Sequence, residues 1–412
     1  MNEKIKSIYP WALVGLLWVV ALLNYMDRQM LSTMQQSIGV DIPEVLDSRM
    51  YGALLAIFLW IYGCVSPFAG SVADRLSRKW LIVGSLGVWS LVTLLMAYCH
   101  TYNQIYWLRG LMGVSEALYI PAGLALIADW FTGSSRSLAI GVHMTGLYMG
   151  QALGGFGATM ASQWSWQNTF HWFGLLGVAY AAVLAFALRD KPRQSLEAEK
   201  TAERLPRENV GRSFAMIFSN VAFWVILFFF ATSSLPGWGT KNWLPTLFAE
   251  SLHLSPERAG ILATSTIAAS SFVGVMIGGP LSDRWVRKNL RGRIYTSAIG
   301  MMLMIPALVI IGLCSGVVAA VAAALLFGVG YGMFDANNMP ILCQFVPQHR
   351  RATAYGLMNT VGVFMGAVVT QALGAWANDG HLGQGFVLMG AAVAVAVGLQ
   401  LTMLRPKSDN CE

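Results

Sequence analysis

The chain alternates long apolar runs with short polar punctuation. Runs of spanning length occur at roughly 11–33, 51–73, 80–99, 104–131, 137–160 and 166–188. They resume at about 218–247, 258–281, 293–313, 316–342, 352–377 and 383–404. Each is long enough to cross about 30 Å of hydrocarbon as a helix. The pattern predicts an all-α membrane protein with twelve transmembrane helices in two six-helix bundles. The one polar interval of any length, 189–213, divides them evenly. It gives an N-terminal bundle at 1–188, a cytoplasmic linker at 189–213 and a C-terminal bundle at 214–412. The mixed charges of the linker suit an amphipathic segment, on which a regulatory partner could also bind. The first run follows a short polar start without a small-residue cleavage site, so it reads as a retained helix rather than a signal peptide.

Composition removes the soluble alternatives. The chain is 56% hydrophobic and only 11% charged, where a soluble domain carries about 25% charged residues. The net charge of +7 raises nucleic acid as a partner, but the basic residues do not form a soluble face. With the N-terminus inside, most of the 27 lysines and arginines fall in cytoplasmic pieces, and the outer loops keep only Arg49 and Arg258. This is the positive-inside pattern. It places both termini in the cytoplasm, the chain in the cytoplasmic (inner) membrane, and the lipid bilayer rather than nucleic acid around it. Five cysteines, Cys64, Cys99, Cys314, Cys343 and Cys411, show neither metal spacing nor an even count for a disulfide framework. The six histidines form no HExxH pair, and no nucleophile–base pair or phosphate loop is visible. The expectation is no enzyme, no metal and no bound cofactor.

Two features break the apolar pattern. The run Trp107–Trp130 carries Arg109 and Glu116 inside it. Seven residues, two helical turns, separate them, so both project the same way with about 10.5 Å of rise between them. A charge at bilayer depth costs roughly 2.5–3.5 kcal/mol even on the lenient insertion scale, so this face meets a wet cavity or another helix. The second feature is an internal repeat. GSVADRLSRK at 70–79 returns as GPLSDRWVRK at 279–288, and GVSEALYIP at 113–121 returns as GMFDANNMP at 332–340. Arg136 and Gly141 recur as Arg351 and Gly356. Two homologous halves of this kind place a substrate site near the bilayer midplane between them. Glu116 and Asp335 become equivalent positions, each five residues before a proline. Either an acid is kept there for packing, or both halves present a carboxylate to a shared cavity.

GxxxDRxxRK, doubled in the two halves, resembles the signature loop of the major facilitator superfamily, and Arg109-x-x-x-Gly113 resembles its second signature. The resemblance covers essentially the whole chain and implies two bundles rocking about a central site, usually as a monomer. Asn24-Tyr25-Met26-Asp27-Arg28, with Arg109 and Glu116, resembles the anion:cation symporter branch, which includes sialin and importers of hexuronates and aldonates. There the acids corresponding to Asp27 and Glu116 carry protons, and the arginines corresponding to Arg28 and Arg109 attract a substrate carboxylate. The same features, with the Gly-Val-Ser-Glu-Ala run, also resemble Spinster-type lipid transporters. A proton-coupled importer of a monocarboxylate sugar acid is the expected function. A Spinster-like amphiphile carrier and a neutral-sugar or drug carrier are the rivals, and a substrate sensor on a transporter scaffold is the reading from another class.

Chemistry supports both a working and a static reading of these charges. Burial raises a carboxylate pKa and a neighbouring arginine lowers it. An anion that neutralises the arginine would favour protonating the acid, so substrate and proton would bind together. The static reading is two ion pairs locking the first and fourth spans, with Asp27 beside Arg28 and Glu116 on the face of Arg109. Lys241 lies in PGWGTKNWLP at 236–245. The two prolines are expected to break the seventh span near its outer end, as a gate would need. Lys241 then either holds a substrate anion as a point charge or snorkels to the surface. Tyr119, Tyr148, Gln151, Asn337 and Asn338 can bond sugar hydroxyls or neighbouring helices. Tyr25, Trp238 and Trp243 can stack on a pyranose or anchor helix ends. Gly146, Gly150 and Gly154, with Gly362 and Gly366, form small-residue stripes for close helix packing. His143 and His171 are left out as ordinary hydrogen-bonded histidines. The loop residues Asp74, Arg75, Arg78, Asp283, Arg284 and Arg287 are expected to gate, biasing which side is open.

Overall fold

The structure is a computed structural model that describes residues 3–131, 134–191, 218–219, 221–347 and 351–406, without the side chains of a few helical residues, among them Asp74 and Arg75. The linker expected at 189–213 lies outside the described residues beyond Lys191. The chain folds as two compact units, Met1–Leu205 and Pro206–Glu412. Among the described residues, eleven helical segments are long and apolar enough to cross a membrane.

The first unit contains α1 (Glu3–Leu31), a short α2 (Gln35–Gly39), α3 (Ser48–Arg75), α4 (Arg78–Met96), α5 (Tyr102–Ala117), α6 (Tyr119–Trp130), α7 (Ser134–Gly154), α8 (Gly157–Trp164) and α9 (Trp166–Ala187). Polar caps set the starts. Asp47 Oδ1 accepts from Arg49 N at 2.7 Å to begin α3, and Ser77 Oγ accepts from Trp80 N at 3.3 Å to begin α4. Thr101 and Gln104 form a capping box at α5, which satisfies amides that a helix start leaves unbonded. The fifth expected span is α7 followed by α8. Ser, Thr, His and Gln side chains make it less apolar than its neighbours, and it lies against α1. The contact is backbone-close: a Cβ on Gly146 would sit 2.7 Å from Trp18 O, and one on Gly154 would sit 2.9 Å from Met26 O. The stripe therefore brings α7 onto α1, as small residues permit.

The second unit repeats the plan with α10 (Val221–Ser251), α11 (Pro256–Val286), α12 (Gly292–Leu313), α13 (Val317–Asp335), α14 (Asn338–Phe345), α15 (Arg351–Asn378) and α16 (Leu382–Met403). α13 packs on α11 and α12, and α15 packs on α10. Gly362 and Gly366 face Phe230 and Trp238 of α10.

Three proline effects differ in outcome. The expected fourth and tenth spans are each two helices. α5 stops at Ala117 and α13 stops beside Ala336, the residues whose carbonyls lie four positions before Pro121 and Pro340 and so lack their helical donor. The expected break of the seventh span does not occur: α10 runs unbroken from Val221 to Ser251 through Pro236 and Pro245. Each proline removes a single bond, and both are buried against neighbours. Packing against neighbouring helices commonly lets membrane helices carry proline in this way.

Candidate functional site

Four charged side chains converge inside the first unit. On α1, Asn24, Asp27 and Arg28 occupy adjacent turns. On α5, Arg109 and Glu116 project from one face. α3 supplies Phe58 and Tyr62, and α4 supplies Thr93. Asp27, Arg109 and Glu116 are all nearly or fully buried. The approach of α5 to α3 depends on Gly113, where a Cβ would sit 2.7 Å from Phe58 O and 3.2 Å from Tyr62 N.

One ion pair joins the first and fourth spans, as the static reading expects, and a second does not form within 4 Å among the described residues. Arg28 Nε donates to Glu116 Oε2 at 2.5 Å, an ion pair between α1 and α5. Asp27 does not pair with Arg28, because successive helical residues project about 100° apart and do not face each other. Glu116 does not pair with Arg109, because two turns of rise exceed an ion-pair distance. Asp27 Oδ2 instead accepts from the Thr93 hydroxyl at 2.7 Å. Arg109 makes no carboxylate pair within 4 Å among the described residues. Its Nη1 lies 3.0 Å from the Met112 sulfur and its guanidinium lies over the Phe58 ring, 4.7 Å from the centroid. Arg28 also lies over the rings of Tyr25, Phe58 and Tyr62, at 5.1, 4.7 and 4.9 Å. Several buried polar atoms of the cluster have no hydrogen-bond partner among the described residues: Glu116 Oε1, Arg28 Nη2, Arg109 Nε and both amide atoms of Asn24. Buried polar groups are ordinarily satisfied, and other unpartnered buried polar atoms lie elsewhere in both units, among them those of His143, Gln344 and Gln400.

The remaining expected site residues are more scattered. Tyr119 is buried and its hydroxyl donates to Leu17 O at 2.8 Å. Trp243 is buried with its indole N–H on Thr370 O at 2.8 Å, and Asn337 donates to Met333 O at 2.8 Å. These three are engaged within their own bundles. Gln151 is buried and Tyr148 is half-buried on α7. In the second unit Asp335 is accessible to solvent although protein encloses it, unlike its sealed counterpart Glu116, and accepts from Asn338 Nδ2 at 3.3 Å. Lys241 Nζ lies over the rings of Trp238 and Tyr331, at 5.2 and 5.7 Å.

Of the loop signatures, Arg78 pairs with Asp129 at the end of α6, a partner not expected from the sequence. Asp283 Oδ1 lies 3.5 Å from Arg293 Nη2, whereas Arg284 and Arg287 are exposed. Thr93, Phe58, Tyr62 and Asp129 carry no functional mark in the sequence. A threonine and two aromatics inside apolar runs look like core, and only the fold shows what they touch.

Comparison with known proteins agrees with this architecture. Residues 17–370 match the Major Facilitator Superfamily. The chain is 27% identical over 377 residues to protein spinster homolog 1 of Xenopus laevis, covering 86% of this chain and 70% of that protein. It is 24% identical over 432 residues to a probable galactarate/D-glucarate transporter of Escherichia coli, covering 96% and 95%. It is 26% identical over 300 residues to a probable L-galactonate transporter of Escherichia coli, covering 70% and 64%. The crystal structure of a bacterial homolog to the human lysosomal transporter Spinster, inward-facing and unoccupied, matches the fold with a TM-score of 0.78 at 17% identity, over 95% of this chain and 96% of that one. With its doubled signature loop, its two helical units and a match across most of its length, the chain belongs to the Major Facilitator Superfamily, as a multi-pass membrane transporter and not an enzyme.

Proposed function

We propose that the protein is a proton-coupled symporter of an organic anion, a sugar acid of the hexuronate, aldonate or sialate kind, working by alternating access in the cytoplasmic membrane. In this reading both termini are cytoplasmic and the working unit is a monomer. The observation that carries it is the charge arrangement of the α1–α5 cluster. Two carboxylates and two guanidiniums sum to zero when all are ionised, yet only Arg28 and Glu116 are bonded to each other. Arg109 is left buried with a sulfur and an aromatic face for partners. A substrate carboxylate would give Arg109 a direct ion pair, which no carboxylate among the described residues makes with it within 4 Å. The added negative charge would in turn favour a proton on Asp27 or Glu116, since a like charge disfavours the ionised form. Anion and proton then enter together. The relative named for L-galactonate, an aldonate, supports the substrate class, and the one named for galactarate and D-glucarate, both dicarboxylates, supports sugar acids more widely.

The test is uptake into proteoliposomes of labelled glucuronate, galacturonate, gluconate, sialate, glucose and a lysolipid, with and without an inward proton gradient. Gradient-driven accumulation of one sugar acid is the expected result. Uptake of glucose that ignores pH would overturn the reading. A second reading, an amphiphile carrier, is favoured by the 27% identity to protein spinster homolog 1. Uptake of the lysolipid alone would select it.

A further inference from the structure

Phe58 lies buried on α3, and two cations share its ring. The guanidinium carbons of Arg28 and Arg109 are each 4.7 Å from the ring centroid, so they are separated by at most twice that distance. Like charges so close repel, and a carboxylate between them would be the ordinary remedy. Here Glu116 is bonded to Arg28, and Arg109 feels Asp27 and Glu116 only from beyond ion-pair distance, with no carboxylate within 4 Å among the described residues. The negative π face attracts both cations electrostatically. Unlike a carboxylate, it carries no formal charge and neutralises neither of them.

The backbone holds this ring in place. Gly113, one turn beyond Arg109 on α5, allows α5 to touch α3 at Phe58 O and Tyr62 N. Ring and guanidinium are thus fixed by the same helix contact. Tyr62, one turn further along α3, lies over Arg28 at 4.9 Å and packs on Phe58 with centroids 5.7 Å apart, which backs the ring from one side.

We infer that Phe58 is a positioning residue for the anionic substrate: its ring holds Arg28 and Arg109 at a set spacing while leaving the charge of Arg109 available. The inference rests on the reading that these arginines attract a substrate carboxylate, and it adds a specificity consequence. The spacing that the ring imposes would be read by the substrate as the distance between two cationic contacts, so replacing the ring should weaken anions and leave neutral sugars unaffected.

The experiment introduces mono-, di- and trifluorophenylalanine at position 58 of the full chain, which withdraws π density in steps with little change of shape. Thermal stability in detergent without substrate is one readout. KM and Vmax for the sugar acid carried by the unsubstituted protein form the other. Stepwise loss of stability is expected, with KM rising by about tenfold across the series, the scale of one desolvated cation–π contact, and Vmax largely retained. Phe58→Tyr should keep the original KM, and Phe58→Leu should match the trifluoro end of the series. A flat series in both readouts overturns the proposal, as does a falling stability with an unchanged KM, which makes the ring a packing contact. If the unsubstituted protein carries no sugar acid, that result alone sinks the functional reading. The stability series needs no substrate, and if flat it overturns the ring's role as well.

Discussion

At the scale of single residues, Glu116 separates two kinds of loss. It is fully buried and bonded to Arg28 through one oxygen only. Glu116→Gln keeps a hydrogen-bond acceptor for Arg28 but removes the exchangeable proton. The expected outcome is a folded protein that still exchanges labelled for unlabelled substrate but no longer accumulates it against a gradient, read in counterflow and uptake assays side by side. Glu116→Ala instead leaves the Arg28 cation unpaired in the bundle, a loss of about 3–5 kcal/mol for a buried pair. It should lower the yield of folded protein and its melting temperature more than Glu116→Gln, which loses the charge but keeps the hydrogen bond. Thr93 makes a subtler case. Its hydroxyl bonds Asp27 at 2.7 Å, and a hydrogen bond to a charged group contributes about 1.5–3 kcal/mol. Thr93→Val preserves the shape and should lower gradient-driven uptake by roughly tenfold or more on that scale. Thr93→Ser should restore it. Equal uptake by the Val variant would assign Asp27 a passive part.

At the scale of elements, the helices were legible and their internal breaks were not. Apolar length and polar punctuation locate the spans because each side chain facing lipid must be apolar, whatever lies on the other face. Pro121, Pro340, Pro236 and Pro245 look alike in sequence, yet two coincide with helix breaks and two lie inside a continuous α10. Whether a freed carbonyl ends a helix depends on neighbours that a linear pattern does not display. The candidate site shows the same division. Asp27, Arg28, Arg109 and Glu116 stood out because charge is rare at bilayer depth, while their pairing, Arg28 with Glu116, is a matter of helix azimuth and rise. Phe58 was hidden because an aromatic in an apolar run carries no mark of what lies over its face. A helix-scale prediction follows from Gly113. Gly113→Val puts side-chain atoms into the α3 backbone at Phe58 and should cost about 1–3 kcal/mol of overpacking, with transport lost as α5 moves away from α3. Gly84→Ala in α4, where a Cβ meets nothing within 4 Å, is the matched control and should leave both melting temperature and transport unchanged. Equal behaviour of the two variants would mean that the α3–α5 contact does not set the site.

For the molecule as a whole, the charge count of the cluster constrains the energetics of transport. Asp27 and Glu116 balance Arg28 and Arg109, so the buried site is neutral when all four are ionised. Moving an unbalanced charge across a membrane couples to the potential by about 2.3 kcal/mol per charge per 100 mV. A monocarboxylate that enters with one proton adds no net charge to the neutral cluster, and the loaded and empty forms then carry the same total. The cycle is thus expected to be electroneutral at one proton per monoanion. Uptake into proteoliposomes should follow an imposed pH gradient and ignore a potassium diffusion potential set with valinomycin. A dicarboxylate such as galactarate provides the contrast, because its second charge needs a second proton to restore balance. With a single proton its uptake would be opposed by an inside-negative potential. Monoanion uptake that accelerates with an inside-negative potential would mean that more than one proton enters per substrate, so Asp27 and Glu116 would both titrate in the cycle. Uptake driven by potential and indifferent to pH would remove the proton from the mechanism and leave the buried acids as structural partners of the arginines.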